Sequence, residues 1–147
     1  KADLVRMKQD YFNMVNHNSN PSNVMREFGH ARIGGNYYDY SPSGQQFRTQ
    51  PSSNGRLIDI ALDIPIGLPE GIGYGFHVHH YSGPFYSKGG SMRGTINANK
   101  ISSWDVKSAF PSPSINFMGN SNGLYGYGGN GIPFMVAGPN WMNLECD

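Results

Sequence analysis

Over Leu57–Tyr81 apolar and polar residues alternate with a period of two. In the first half Ile58, Ile60, Leu62, Ile64 and Ile66 point one way, while Leu57, Asp59, Ala61 and Asp63 point the other. An apolar face opposed to a mostly polar one is the pattern of a half-buried strand. In the second half Ile72, Tyr74, Phe76 and Val78 form the apolar face, and Gly73, Gly75, His77 and His79 the opposite one. The intervening Gly67–Gly71, with Pro69, predicts a hairpin loop. Closing that hairpin at Ile66 and Ile72 pairs Ile60 with Val78 and sets Asp59 opposite His79. A slip of one residue would turn Asp59 to the wrong face, whereas the His-x-His pair does not depend on register.

Only the first fifteen residues carry a helical pattern. Leu4, Met7, Tyr11 and Met14 form a heptad seam, with Lys1, Lys8, Gln9 and Asp10 on the other faces. The polar stretch Asn16–Asn23, which contains Pro21, ends it. Residues 1–23 are expected to form a helical lead-in or the end of a stalk, and residues 24–147 a β-rich domain. Short strands are predicted at Arg32-Ile33, Tyr37–Tyr40, Met92–Ala98, Trp104–Phe110, Ser114–Met118, Leu124–Tyr127 and Phe134–Ala137. A long polar connection spans Ser41–Gly55. Many short strands between Gly, Asn and Pro turns predict an all-β fold, an antiparallel β-sandwich or jelly-roll-like domain with a short N-terminal helix.

Two imidazoles two residues apart on one strand face the same way, roughly 6.5–7 Å apart along it. His77 and His79 can therefore ligate one metal ion, with an opposed carboxylate joining them or orienting one ring. Solvated histidines on an outer strand face are the ordinary alternative. His80 shares the face of Val78 and is expected to be buried and hydrogen-bonded. The signs of a hydrolase are sparse: no Gly-x-Ser-x-Gly elbow occurs. Asp59 and Asp63 lie roughly 13 Å apart along a strand, beyond the roughly 6.5–9.5 Å of an inverting carboxylate pair. A non-enzymatic role is expected.

Composition narrows the partners. The 147 residues suit one domain, and 14% are charged, against a usual share of about a quarter. The formal net charge is +1 and the basic residues form no run, which argues against nucleic acid as the main partner. No apolar stretch approaches the roughly 20 residues that span a bilayer, so no membrane insertion is expected. Cys146, the single cysteine, excludes an internal disulfide. The first residue is Lys rather than Met, from which a processed product or a fragment is expected. Tyr, Asn, Ser and Gly supply the polarity, and such surfaces suit polar ligands such as saccharides, although turns in a β-protein use the same residues. Tyr125 and Tyr127 share a strand face among Asn120, Asn122 and Asn130, a candidate stacking platform for a glycan. Trp104 and Asp105 form a second candidate cluster.

Two resemblances follow. Gly73–His79 is similar to the first motif of the cupins, metal-binding jelly rolls, but no acid follows over Tyr81–Lys88 and no histidine follows His80. A metal-dependent enzyme on a small cupin-like jelly roll, using His77 and His79, is the alternative this implies. The order of short lead-in, long alternating strand, aromatic second strand and Gly/Asn/Tyr-rich hairpins resembles the distal receptor-binding domain of a bacteriophage tail fibre or tailspike. That resemblance implies a homotrimer on the virion surface, outside the cell, binding a cell-surface glycan or an outer-membrane receptor. It also implies a metal held on the threefold axis by His77 and His79 of each chain. Six nitrogens suit iron better than tetrahedral zinc.

Overall fold

The structure, a computed structural model, describes residues 1–50, 55–80, 82–110 and 114–146. Helix α1 spans Ala2–Ser19, with Asp3 in its first turn and His17 in its last, the placement that suits the helix dipole. Its C-terminal carbonyls are collected by one side chain. The Arg56 guanidinium donates to the carbonyls of Asn18 (2.6 Å), Asn20 (2.5 Å) and Asn23 (3.1 Å). Along the seam, Met7 and Met14 are buried, and Leu4 and Tyr11 pack at the margin, against Tyr74, Phe76, Val78, Leu124 and Trp141. Each buried methionine contributes about 1.5–3 kcal/mol, so the seam is used within the chain.

Thirteen short strands follow among the described residues. They are β1 (Met25–Arg26), β2 (Gly29–Ile33), β3 (Asn36–Asp39), β4 (Ser41–Pro42), β5 (Phe47–Thr49), β6 (Leu57–Asp59) and β7 (Leu62–Asp63). Then come β8 (Gly73–Val78), β9 (Gly83–Tyr86), β10 (Met92–Ile96), helix α2 (Ser103–Lys107), β11 (Asn116–Asn120), β12 (Gly123–Tyr127) and β13 (Phe134–Ala137). A six-stranded mixed sheet runs β13-β12-β11-β8-β2-β3, a five-stranded one β1-β6-β5-β9-β10, and β4 pairs with β7. The protein is thus mostly β-sheet with an N-terminal helix, as expected. Trp104–Phe110 is a correction: its first half is α2, because the Ser102 hydroxyl and the Asp105 carboxylate cap each other's backbone N–H.

The predicted central hairpin does not form. β8 lies in the middle of the six-stranded sheet, antiparallel to β2 (Gly29 opposite His77) and parallel to β11 (Met118 opposite His77). β6 belongs to the other sheet, between β1 and β5. Ile66 and Ile72, the supposed closing pair, are 104% and 90% exposed. Asp59 therefore stands beside Arg26 of β1 rather than opposite His79. Period-two alternation shows that a strand has two faces, but not which strand lies beside it.

The faces of β8 are as the alternation predicts. Tyr74, Phe76 and Val78 meet α1, and His77 lies on the opposite side, in register with Met118. On that side Ile101, Met118 and Tyr127 form a second cluster, with Val106, Ala109 and Tyr125 against it. Close approach of β2 to β8 requires Gly29, where an added Cβ would meet the Phe76 carbonyl oxygen at 2.4 Å and the Tyr40 ring at 2.8 Å.

Candidate metal centre

A strand buried on both faces places His77 and His79 in a protected position, each 7% exposed. The backbone N–H of His79 donates to the Gly119 carbonyl at 2.9 Å, carrying the β8–β11 pairing one residue past the strand end. The two rings tilt together until their Nε2 atoms are 2.9 Å apart. The Nδ1–H of His79 donates to the Ala98 carbonyl at 3.0 Å, so in the neutral ring Nε2 carries the lone pair.

Two carboxylates complete the group. Asp105 comes from α2, where Oδ2 accepts the Ser102 N–H at 2.9 Å and the Asp105 N–H donates to the Ser102 hydroxyl at 3.1 Å. The same carboxylate stands 3.5 Å from His77 Nε2 and 3.7 Å from His79 Nε2. Glu27, in the link between β1 and β2, places Oε1 3.8 Å from His79 Nε2 with only 12% of its side chain exposed. These separations exceed a charge-assisted hydrogen bond of about 2.7–2.9 Å. The two imidazoles stand at hydrogen-bond distance from each other, and the two carboxylates gather around them just beyond it.

That convergence has the dimensions of a metal site. One ligand atom from each of His77, His79 and Asp105 can be chosen so that all lie within 4.8 Å of one another. Two ligands at about 2.0–2.1 Å from a tetrahedral ion stand roughly 3.3–3.4 Å apart. The 2.9 Å between the two Nε2 atoms, the 3.5 Å from Asp105 Oδ1 to His77 and the 3.7 Å from Asp105 Oδ2 to His79 fall on both sides of that spacing, the last two through different carboxylate oxygens. Three N/O ligands from the protein, leaving one position for water or substrate, are the donor set of catalytic zinc.

Electrostatics separate the two carboxylates. Burial alone raises the Asp105 carboxyl, but His77 and His79 outweigh it and hold the group well below the usual carboxylate range. Burial pushes Glu27 up to about 8, with Asp105 and Asp59 adding to the rise and His79 opposing it. A bound cation would draw it down again. Burial likewise raises the Tyr127 phenol, whose ring stands edge-on to His77 with centroids 6.2 Å apart. His80 is held down to about 3 by burial, with His79 and Arg56 adding to the effect. The residue is half-buried, and its buried ring nitrogens find no hydrogen-bond partner among the described residues, so the expected buried, hydrogen-bonded histidine is not found.

The other candidate residues are not gathered together. Asn120 and Asn122 sit at one end of β12 and Asn130 beyond the other, roughly 17 Å away by strand length. The Gly-rich segment is a strand between two turns rather than one hairpin. Tyr127 is 3% exposed and Tyr125 half-buried against the second cluster, so the pair makes no exposed platform. Asn130 is exposed, its side-chain oxygen accepting the Ile132 N–H at 3.0 Å. Asn122 is exposed and donates to Asn99 at 3.1 Å. Asn120 is 1% exposed and donates to the Ala98 carbonyl at 2.7 Å, the carbonyl that holds His79. Trp104 is 75% exposed on α2, with the Lys107 ammonium 5.0 Å from its ring centroid. Glu27 was not foreseen as part of the site, and Asp105 was foreseen only as a glycan contact. The Ser102-x-x-Asp105 spacing was a legible signal that α2 begins there.

Comparison with known proteins finds no matching family model, no similar curated protein and no similar solved structure. No helix among the described residues is long and apolar enough to cross a membrane.

Proposed function

We propose that the protein is a mononuclear metal-dependent hydrolase of acyl bonds, amide or ester, with zinc the ion its donors fit best. The observation that carries this is the convergence of His77, His79 and Asp105, with a second buried carboxylate, Glu27, at its edge. In this assignment His77, His79 and Asp105 are ligands, and Glu27 takes the proton of the attacking water. A zinc ion held by these residues would lower the pKa of its water and polarise the substrate carbonyl. As the water oxygen bonds to the carbonyl carbon, its proton passes to Glu27. When the bond to the leaving group breaks, Glu27 returns that proton to the departing amine or alkoxide. Phosphoryl transfer is disfavoured because it commonly uses two ions about 3.5–4 Å apart, and one cluster of this kind occurs among the described residues.

The test pairs metal content with turnover. Purified protein should hold one zinc per chain after dialysis and cleave an internally quenched peptide library, with chelation stopping cleavage and zinc restoring it. Protein that retains no zinc under those conditions sinks the proposal.

Non-enzymatic attachment to a cell-surface glycan is the second function, in the sandwich or jelly-roll tip of a trimeric phage fibre. The observation favouring it is Trp104, an exposed aromatic beside Asp105 of the kind that stacks on sugar rings. A glycan array separates the two: binding that survives chelation, from protein without hydrolytic activity, selects attachment.

A further inference from the structure

A cleft of about 430 Å³ lies between the C-terminal half of α1 and the C-terminal ends of β8 and β11. That volume is within the roughly 300–1,000 Å³ of small-molecule sites. Tyr11, Met14 and Val15 of α1 and Met25 of β1 supply its apolar lining. Val15 is 41% exposed and Asn122 is exposed, which sets them at the mouth.

Another part of the lining is the hydrogen-bonded chain that orients His79. The Ala98 carbonyl accepts from His79 Nδ1 at 3.0 Å and from Asn120 Nδ2 at 2.7 Å, and the Ala98 N–H donates to the Ser82 hydroxyl at 2.8 Å. All four residues border the cleft. A molecule seated there lies against the support of a candidate metal ligand.

The chemistry of the lining selects the occupant. Among the described residues no Lys, Arg, Asp or Glu borders the cleft, so a charged group entering it would lose water without gaining an ionic partner. Ser19 directs its hydroxyl hydrogen to the Asn16 carbonyl at 2.7 Å and keeps lone pairs to accept. Ser82 accepts from Ala98 and keeps its hydrogen to donate. One donor and one acceptor suit a neutral amide. His80 also borders the cleft, with both ring nitrogens lacking a partner among the described residues. A turn of that ring toward an occupant would satisfy one of them. Met14 and Met25 can adapt to apolar groups of differing shape.

We infer that this cleft binds an uncharged, apolar amino-acid unit together with its flanking amide, as one side of the hydrolase's substrate. This rests on the metal-dependent reading above. The apolar side chain would pack on Met14, Val15 and Met25, and the amide would bond to Ser19 and Ser82.

Amide NMR on the purified full chain, with its zinc content recorded, tests this with three probes of one scaffold: N-acetyl-leucinamide and its glutamate and lysine counterparts. The leucine probe should shift the amides of Val15, Ser19, Ser82 and Asn122. It should bind about tenfold or more tighter than either charged probe. Val15→Trp should fill the mouth and weaken binding about tenfold. Val5→Trp, at an exposed position of α1 outside the cleft, should leave binding unchanged, and both variants should keep their Tm. Val15→Lys should turn the preference toward the glutamate probe. Equal binding of the three probes, shifts that bypass the cleft, or undiminished binding by Val15→Trp overturns the inference. Zinc content and probe binding are separate readouts. Protein that binds the leucine probe but holds no zinc defeats the hydrolase and leaves the cleft standing as a site.

Discussion

Two buried histidine–carboxylate groups sit on opposite faces of β8, and they differ in how their hydrogen bonds close. On the α1 side, His30 Nδ1 meets Asp10 Oδ2 at 2.5 Å and Nε2 meets the Tyr74 hydroxyl at 2.9 Å. Every polar atom of that fully buried ring has a partner at hydrogen-bond distance, which ties α1 to β2 and β8. On the α2 side, His77 and His79 turn Nε2 toward each other, with carboxylates 3.5–3.8 Å away. The first arrangement satisfies itself and acts as a tie. The second has one contact at hydrogen-bond distance, between the two Nε2 atoms, and keeps its carboxylates beyond it, an arrangement that a cation would close. Residue type and burial do not distinguish the two groups; the closure of their hydrogen bonds does.

The sharpest way to break the comparison is Glu27→Gln. It should lower hydrolysis by about 10²–10⁴-fold, the usual contribution of a general base, while zinc content stays at one per chain. Loss of zinc in that variant would make Glu27 a ligand instead. On the other face Asp10→Ala strips a buried ring of its partner and should cost about 3 kcal/mol in denaturant unfolding. Zinc at a hundred times its Kd should stabilise wild type and Asp10→Ala alike by about 2.7 kcal/mol, and should not stabilise Asp105→Ala. A zinc increment that vanished with Asp10 would mean that the two groups are coupled.

Finer still is Asn120→Ala. Asn120 is a positioning residue: it holds the Ala98 carbonyl that orients His79. Removing it should weaken zinc about 10–100-fold and shift the visible spectrum of the cobalt-substituted protein, which a merely structural loss would leave unchanged. The smallest effect is expected at Asn130→Ala. It is exposed and remote from both groups, so unfolding should change by no more than about 0.5 kcal/mol and zinc affinity not at all. A loss of glycan binding there would revive the attachment function.

Local periodicity carried the parts of this molecule whose partners are near in sequence. The α1 seam, the short strands on either side of Gly34-Gly35, and the two faces of β8 could be read from local pattern and turn residues. The neighbours of β8 could not. β2 and β11 lie far along the chain on either side, and alternation is blind to pairing. The same limit hid the site. The His-x-His motif was legible because both ligands lie on one strand, whereas Asp105 and Glu27 reach it only through the folded sheet. Tyr127 and Asn120 looked like surface recognition residues because Tyr and Asn are common there, yet β12 and β11 turn them inward.

The five residues of α2 are too few to sustain a helix by themselves, since nucleation costs more than so short a run returns. Its capping box and the candidate ligand set share one carboxylate: the Oδ2 of Asp105 that holds the Ser102 N–H also faces His79. Were an ion held there, opening the cap and releasing it would be one motion. Its residence time would be set by how often that single turn unwinds, and the exchange rate of the Ser102 amide would be a clock for it.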